Sequence, residues 1–439
     1  MNRRGYLKNI TLIAGGMVVS NDILGKLLSI PKKEKTILLC TGVQYANIGD
    51  GSHVTGILNL LNTFLPEVKI ILWPVINVNE FDEMILRNWP DIEIVHADFV
   101  DGMPNNSNIG NIAGNIDFII GGHGQTDKVQ WAAATYGKPY GIIGVSVGSP
   151  PKGSFKDFVD EAEFYFTRET GSYENLKNAD VKCEVYGFAP DASFGSNVQD
   201  TYRAITFMKE HGLEYKKFLC VVPRLRVTPY YLIAPSLKHS QAPWSQERIR
   251  EVDELNNKHK EEDHAKARAA IVTYIRRTGN PVLLCPEMVH NMELFDELLY
   301  NPLPDAIKKK VIKRTSFWRT DEATTVYKNA TAVISLECHS PIIALTQGTP
   351  AFYLRQPEDT IKGQMYYDIG LSDWVFEIEN TKAQDIVDRL MDVVNDYRNA
   401  CEKLELSMDY VRDLQRKCMS HIRKAVGLVT IAGSVSSQK

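Results

Sequence analysis

The chain has 439 residues, of which 44% are apolar and 24% charged, with a formal net charge of -4. That length exceeds one ordinary hydrophobic core and suits two domains of roughly 150 to 200 residues. The charge balance excludes the broad basic field of a nucleic-acid-binding protein, and the apolar content excludes a disordered chain.

The N-terminal stretch NRRGYLKNITLIAGGMVVSND sets Arg3 and Arg4 before a short, mildly apolar core and the small residues of a cleavage site. This pattern is that of a twin-arginine export signal with its spacer over residues 1–30, and it predicts a place in the periplasm or cell envelope. A basic amphipathic helix that stays in the cytoplasm is the other reading. No later stretch reaches the ~20 apolar residues of a membrane span. The seven cysteines lie far apart with no CxxC pair, so buried free thiols are expected rather than disulfides.

From TILLCTG onward, short apolar runs of strand length alternate with helical patterns. Strands are predicted at KIILWPV, IEIVHADF, IDFIIGG, KPYGIIGVSVG and FYFT, and helices at the stretch after NIGDG and at EFDEMILRNW. A second series follows from residue 215, with strands at KKFLCVVPRL, PVLLCPE, TAVISLECH and PAFYLR. The charged stretch SQERIREVDELNNKHKEEDHAKARAAIVTYIRRTG is read as a loop plus a helix with a solvated face. Residues 382–426 are strongly helical in pattern, and from Ala432 the chain reads as a loose tail.

Alternation of this kind indicates parallel βαβ units, so the expected fold is α/β: two Rossmann-like domains facing across a cleft, with a long C-terminal helical segment. The expected boundaries are 31–205 for the first domain, 206–380 for the second, 381–431 for the helices and 432–439 for the tail.

Ligands of such domains sit beyond the carboxyl ends of the strands, which directs attention to residues there. GVQYANIGDG offers backbone N–H groups at a helix start, with Asp50 either capping that helix or binding a hydroxyl. FIIGGHGQ ends a strand and aims His123 and Gln125 at the cleft. In FYFTRETGSYENL, Arg168 has the fork geometry for a carboxylate or phosphate, with an ion pair to Glu169 or another acid as the structural alternative. SLECHSPIIALTQGTP puts Cys338 and His339 at a strand end, where an imidazole can move protons near neutral pH. Arg355 and Lys362 follow on the next strand and its loop. No metal-ligand spacing is visible, and none of the lysine runs is interleaved with aromatics as a nucleic-acid surface would be.

Taken together and in order, NIGDG, IIGGHG, GKPYGIIGVSVG, TRETGSYENL, FAPDASF and CHSPIIALTQGTP resemble the polysaccharide pyruvyl transferase family, over roughly residues 37 to 375. The resemblance implies a fold like that of the GT-B glycosyltransferases. It also implies transfer of a pyruvyl group from phosphoenolpyruvate, as co-substrate and with no cofactor, to a sugar of a surface glycan. On this reading His339 matches the family's motif histidine and serves as general acid or base. Arg168, Lys362 and Arg355 hold the donor, while Asn47, Gly49, Asp50 and His123 shape the acceptor side.

The chain departs from the family at Glu337-Cys338, where Arg-Leu is usual. An anion there would oppose phosphoenolpyruvate, which is moreover a cytoplasmic metabolite. Two other readings use the same cleft: a GT-B glycosyltransferase with a nucleotide sugar, and an exported glycan-binding protein without catalysis.

Overall fold

The computed structural model describes residues 35–42, 46–74, 78–97, 99–100, 102–104, 108–123, 126–237 and 244–428. The segment read as an export signal, Gln125 and the tail from Ala432 lie outside these residues.

The first sheet is built from β1 (Lys35–Thr41), β2 (Val68–Pro74), β3 (Glu93–Ile94), β4 (Phe118–Gly122), β5 (Tyr140–Val145), β6 (Phe164–Thr167) and β7 (Tyr186–Phe188). Its strand order is β3-β2-β1-β4-β5-β6-β7, and every pairing is parallel. The crossovers include α1 (Ile48–Phe64), α2 (Asn79–Asn88), α3 (Thr126–Tyr136), α4 (Gly153–Asp160) and α5 (Thr170–Asn178). Both faces are covered. Ile37 and Leu39 of β1 enter one apolar cluster while Leu38 and Cys40 enter another, which is why β1 reads as continuously apolar rather than alternating.

The second sheet repeats the plan. It comprises β8 (Leu219–Val222), β9 (Val282–Leu284), β10 (Val311–Lys313), β11 (Ala332–Ser335), β12 (Ala351–Arg355) and β13 (Val375–Glu377), all parallel, in the order β10-β9-β8-β11-β12-β13. Its helices include α6 (Thr201–Glu210), α7 (Gln246–Thr278), α8 (Thr320–Asn329), α9 (His339–Thr346) and α10 (Ala383–Asn395). In each sheet the chain reverses its direction of winding at one place, between β1 and β4 and between β8 and β11, which is where sheets of this kind take ligands beyond the strand ends.

Two expectations need correction. IEIVHADF is not one strand: it gives the two-residue edge strand β3, the Val95 N–H still reaches the Leu72 carbonyl at 2.9 Å before the chain leaves the sheet, and Phe99 enters a separate antiparallel pairing of Phe99–Val100 with Met103–Pro104. The charged stretch before β9 holds one helix, α7, of 33 residues. Ser245 caps it by accepting from the Arg248 N–H, Gly279 ends it at φ 71°, and no Gly or Pro interrupts it between.

A last helix, α11 (Tyr397–Ala425), runs from one core to the other. Leu404, Met408 and Val411 pack with the second sheet, whereas Cys418, Met419 and Ile422 pack with the first. All seven cysteines are free, and six of them are buried. No helix among the described residues is long and apolar enough to cross a membrane.

Candidate functional site

The carboxyl ends of β1 and β4 carry Asn47, Asp50 and His123. Asn47, rather than Asp50, caps α1, its Oδ1 accepting from the Gly49 N–H at 2.7 Å. Asp50, in the first helical turn, is buried and stands 3.3 Å from His123 Nε2. His123 sits at φ 53°, a backbone region that non-glycine residues rarely occupy. One turn further along α1, the buried His53 donates from Nε2 to the Gly144 carbonyl at 2.9 Å, and its ring lies 5.1 Å from that of His123.

Next to these stands Arg168, just past β6. A register shift between Ile143 and Val145 of β5 brings Ser146 within reach, so Arg168 Nε donates to Ser146 Oγ at 2.8 Å. Its Nη1 donates to Asp191 Oδ2 at 2.9 Å, whereas Glu169 lies at 3.7 Å. The ion pair weighed from sequence therefore forms chiefly with Asp191. Burial would raise the Asp191 carboxyl, but the cationic groups around it, Arg168 among them, hold it well below the usual range. Asp191 lies in the FAPDASF segment and was not singled out from sequence.

The second sheet supplies the facing side. Glu287 follows β9, and its carboxylate accepts the backbone N–H groups of His339 at 3.1 Å and Ser340 at 2.5 Å, capping α9. The same carboxylate lies 3.3 Å from His339 Nδ1, which also touches Cys338 Sγ at 3.3 Å. Burial opposes the imidazolium form of His339, yet Cys338 and Glu287 keep its pKa well above the ordinary value. His339 Nε2 is buried and has no hydrogen-bond partner among the described residues.

The two sides meet at α1. A side chain on Gly49 would come within 2.6 Å of His339 Cγ and Nδ1, so the missing Cβ is what seats the imidazole against the helix. The Ile48 N–H donates to the Glu287 carbonyl at 3.0 Å, and the Val289 N–H to that of Ala46 at 2.9 Å. His123 feels both sides: burial first, then the charges of Arg168, His339 and Lys362, push its pKa down to about 3.

Glu337, where the sequence departs from the motif it resembles, does not project alone. Its carboxylate is 3.1 Å from Arg224 Nε and accepts from Asn291 Nδ2 at 3.1 Å. Burial pushes its pKa up to about 8. Arg224, just past β8, also pairs with Asp359, so Glu337 faces Arg224 and the Asn291 amide inside the protein.

Of the residues singled out from sequence, Gly49, Asp50, His123, Arg168 and His339 thus come together. Lys362 is exposed and makes no hydrogen bond or ion pair among the described residues, but its charge reaches His123. Arg355 is committed elsewhere, to Glu377 at 2.8 Å and the Thr360 carbonyl, and so braces the Pro357–Gly363 turn that carries Lys362.

Burial holds the pKa of His53 down at about 4 and that of His123 at about 3. The folded state therefore binds fewer protons than the unfolded chain below pH ~6.5. The stability tied to these neutral rings is complete above that pH and is lost as pH falls toward 4. Thermal unfolding midpoints are expected to drop steadily between pH 6.5 and 4, less so in His53→Gln; a flat profile in that window would contradict the neutral rings.

Two parallel, doubly wound sheets meeting at their switch points define the class: a GT-B-type fold. Solved structures agree at the level of the fold. The chain is similar to the S. aureus MnaA–UDP structure (TM-score 0.56, 13% identity, covering 91% of this chain and 99% of that one). It is also similar to UDP-GlcNAc 2-epimerase from Neisseria meningitidis bound to UDP-GlcNAc (0.53, 11%, 89% and 100%) and to Anabaena HepE with UDP and glucose (0.53, 8%, 89% and 100%). Residues 47–356 match the family model for polysaccharide pyruvyl transferase, most of the chain, and the protein belongs to that family. No curated protein matches the sequence.

Proposed function

We propose that the protein is a transferase that moves a pyruvyl group from phosphoenolpyruvate to two hydroxyls of a surface-glycan saccharide, forming a ketal. The observation that carries this reading is the convergence of Arg168, His339 and the unpaired Lys362 charge on one crevice between the switch points, in a chain of this family. His339 Nε2 gives a proton to the methylene carbon of the donor, and the adjacent carbon becomes cationic. A saccharide hydroxyl adds to that carbon and loses its proton, phosphate leaves with the electrons of its C–O bond, and the second hydroxyl closes the ketal. Arg168 and Lys362 hold the donor's carboxylate and phosphate. Asp50 and His123, with the cap from Asn47, form the acceptor side.

Millimolar phosphoenolpyruvate should raise the unfolding midpoint of the full chain, because a ligand bound only to the folded state adds RT ln(1 + [L]/Kd) to its stability. Lys362→Ala should lose most of that rise. A rise with nucleotide sugars and none with phosphoenolpyruvate would favour a glycosyltransferase, for which the likeness to UDP-bound folds is the supporting observation; binding of glycans alone would leave a carbohydrate-binding role.

The Arg3-Arg4 segment supports export by the twin-arginine route, after folding in the cytoplasm where phosphoenolpyruvate is found. With both arginines changed to lysine, fractionation should find the protein retained in the cytoplasm; unchanged distribution would count against that route.

A further inference from the structure

We propose that Glu287, Cys338 and His339 form a binding site for one divalent transition-metal ion of the zinc type. The site adds to the pyruvyl transfer reading, which requires no metal.

One ligand atom from each of the three residues lies within 4.8 Å of the other two, and all three residues are buried. Nδ1 of His339 is 3.3 Å from Cys338 Sγ and 3.3 Å from Glu287 Oε1. With Zn–N near ~2.0 Å and Zn–S near ~2.3 Å, donors around a tetrahedral ion stand roughly 3.3 to 3.7 Å apart, so these atoms need little movement to close on one. Thiolate, imidazole and carboxylate together favour zinc-like ions over magnesium or calcium, which take oxygen ligands.

The surroundings hold the ligands in place. Glu287 Oε2 takes the closer contacts of the His339 and Ser340 amides, at 3.1 and 2.5 Å, which leaves Oε1 turned to Nδ1. Asn291 Oδ1 accepts from the N–H groups of Glu287 and Met288 at 3.0 and 2.6 Å, fixing the loop, while its Nδ2 reaches Glu337. Outer contacts of this kind orient ligands and strengthen binding. The thiolate and the Glu287 carboxylate would balance the two charges of the ion. Three protein ligands leave a tetrahedral ion one position for water. An ion on Nδ1 also keeps the ring's remaining proton on Nε2, the atom without a protein partner.

The test is a titration of the full chain, stripped with chelator, using zinc(II) and cobalt(II). One ion per chain is expected, with sub-micromolar affinity and a thiolate-to-cobalt charge-transfer absorption. Cys338→Ser, close to isosteric and checked for folding by its thermal midpoint, should abolish that absorption and weaken zinc binding more than ~100-fold; His339→Asn should do the same. Uptake below one-tenth of an ion per chain, or uptake that is unchanged in Cys338→Ser, overturns the site. Phosphoenolpyruvate binding is read separately on the metal-free protein, so a donor shift without metal uptake sinks the ion and leaves pyruvyl transfer standing.

Discussion

Gly49→Ala is expected to fold and yet to lose the proposed pyruvyl transfer by roughly 100-fold or more, the loss that a misplacement of about 1 Å can produce at a reacting group. The added methyl would lie 2.6 Å from Cγ and Nδ1 of His339 and 2.7 Å from its Cβ, so one of the two must shift. His339 cannot swing freely, because its ring and its backbone N–H are both tied to Glu287, itself buried. Alanine favours a helix over glycine by about 1 kcal/mol, which offsets part of the overpacking cost of about 1–3 kcal/mol. Stability should therefore change little while kcat falls. Wild-type kcat in Gly49→Ala would remove His339 from the mechanism or show that the helix can retreat. Either result is read by kinetics alongside a thermal midpoint.

Gly56→Ala should act in the opposite order, with the larger effect on stability. Two turns along α1, its Cβ would fall inside the van der Waals envelope of the Ala192 carbonyl oxygen, and this neighbour is backbone. Gly195 is pressed from the other side, its absent Cβ lying 2.8 Å from the Gly56 carbonyl oxygen. The helix and the Ala192–Gly195 turn thus cross at glycine on both partners, and neither can give by rotating a side chain. A loss of about 3 kcal/mol or more is expected, read as a lower denaturant midpoint. The turn begins at Asp191, which anchors Arg168, so pushing it away should also weaken donor binding. A Gly56→Ala protein as stable as the parent would mean that the crossing is looser than its geometry indicates.

These two positions mark how far the sequence could be read. The alternation of apolar runs and amphipathic stretches was enough to predict two parallel sheets, because strands covered on both faces must be apolar throughout. Gly49 and His339 stood out in their motifs, at strand ends where a crevice forms. That they touch was not legible: they are 290 positions apart, and only the packing of α9 on α1 joins them. Glu287 left even less trace. Its PVLLCPE segment reads as a strand end like any other, and its importance arises from where the N-terminus of α9 lands, which no local spacing encodes. For the same reason no metal-ligand pattern was visible, since a ligand from one loop meets two adjacent ligands from another. Glu337 read as an unmatched anion because Arg224, its partner, lies more than a hundred residues earlier. The length of α7 was underestimated for a simpler reason: its first half is largely exposed, with Val252 its one buried apolar residue, so the apolar stripe begins only near Ala267 while the two caps set the full span.

The path of α11 bears on how the chain reaches its final state. Leu61 and Leu65, from the end of α1 and just past it, share an apolar cluster with Met419 and Ile422, near the last residues of α11. The first sheet is therefore sealed by a segment synthesised long after it. A nascent chain stalled before residue 415 would hold the first sheet with one flank still open to water, exposing apolar surface that attracts chaperones. Clipping the final helical turns should accordingly damage the half of the protein farthest from them in sequence.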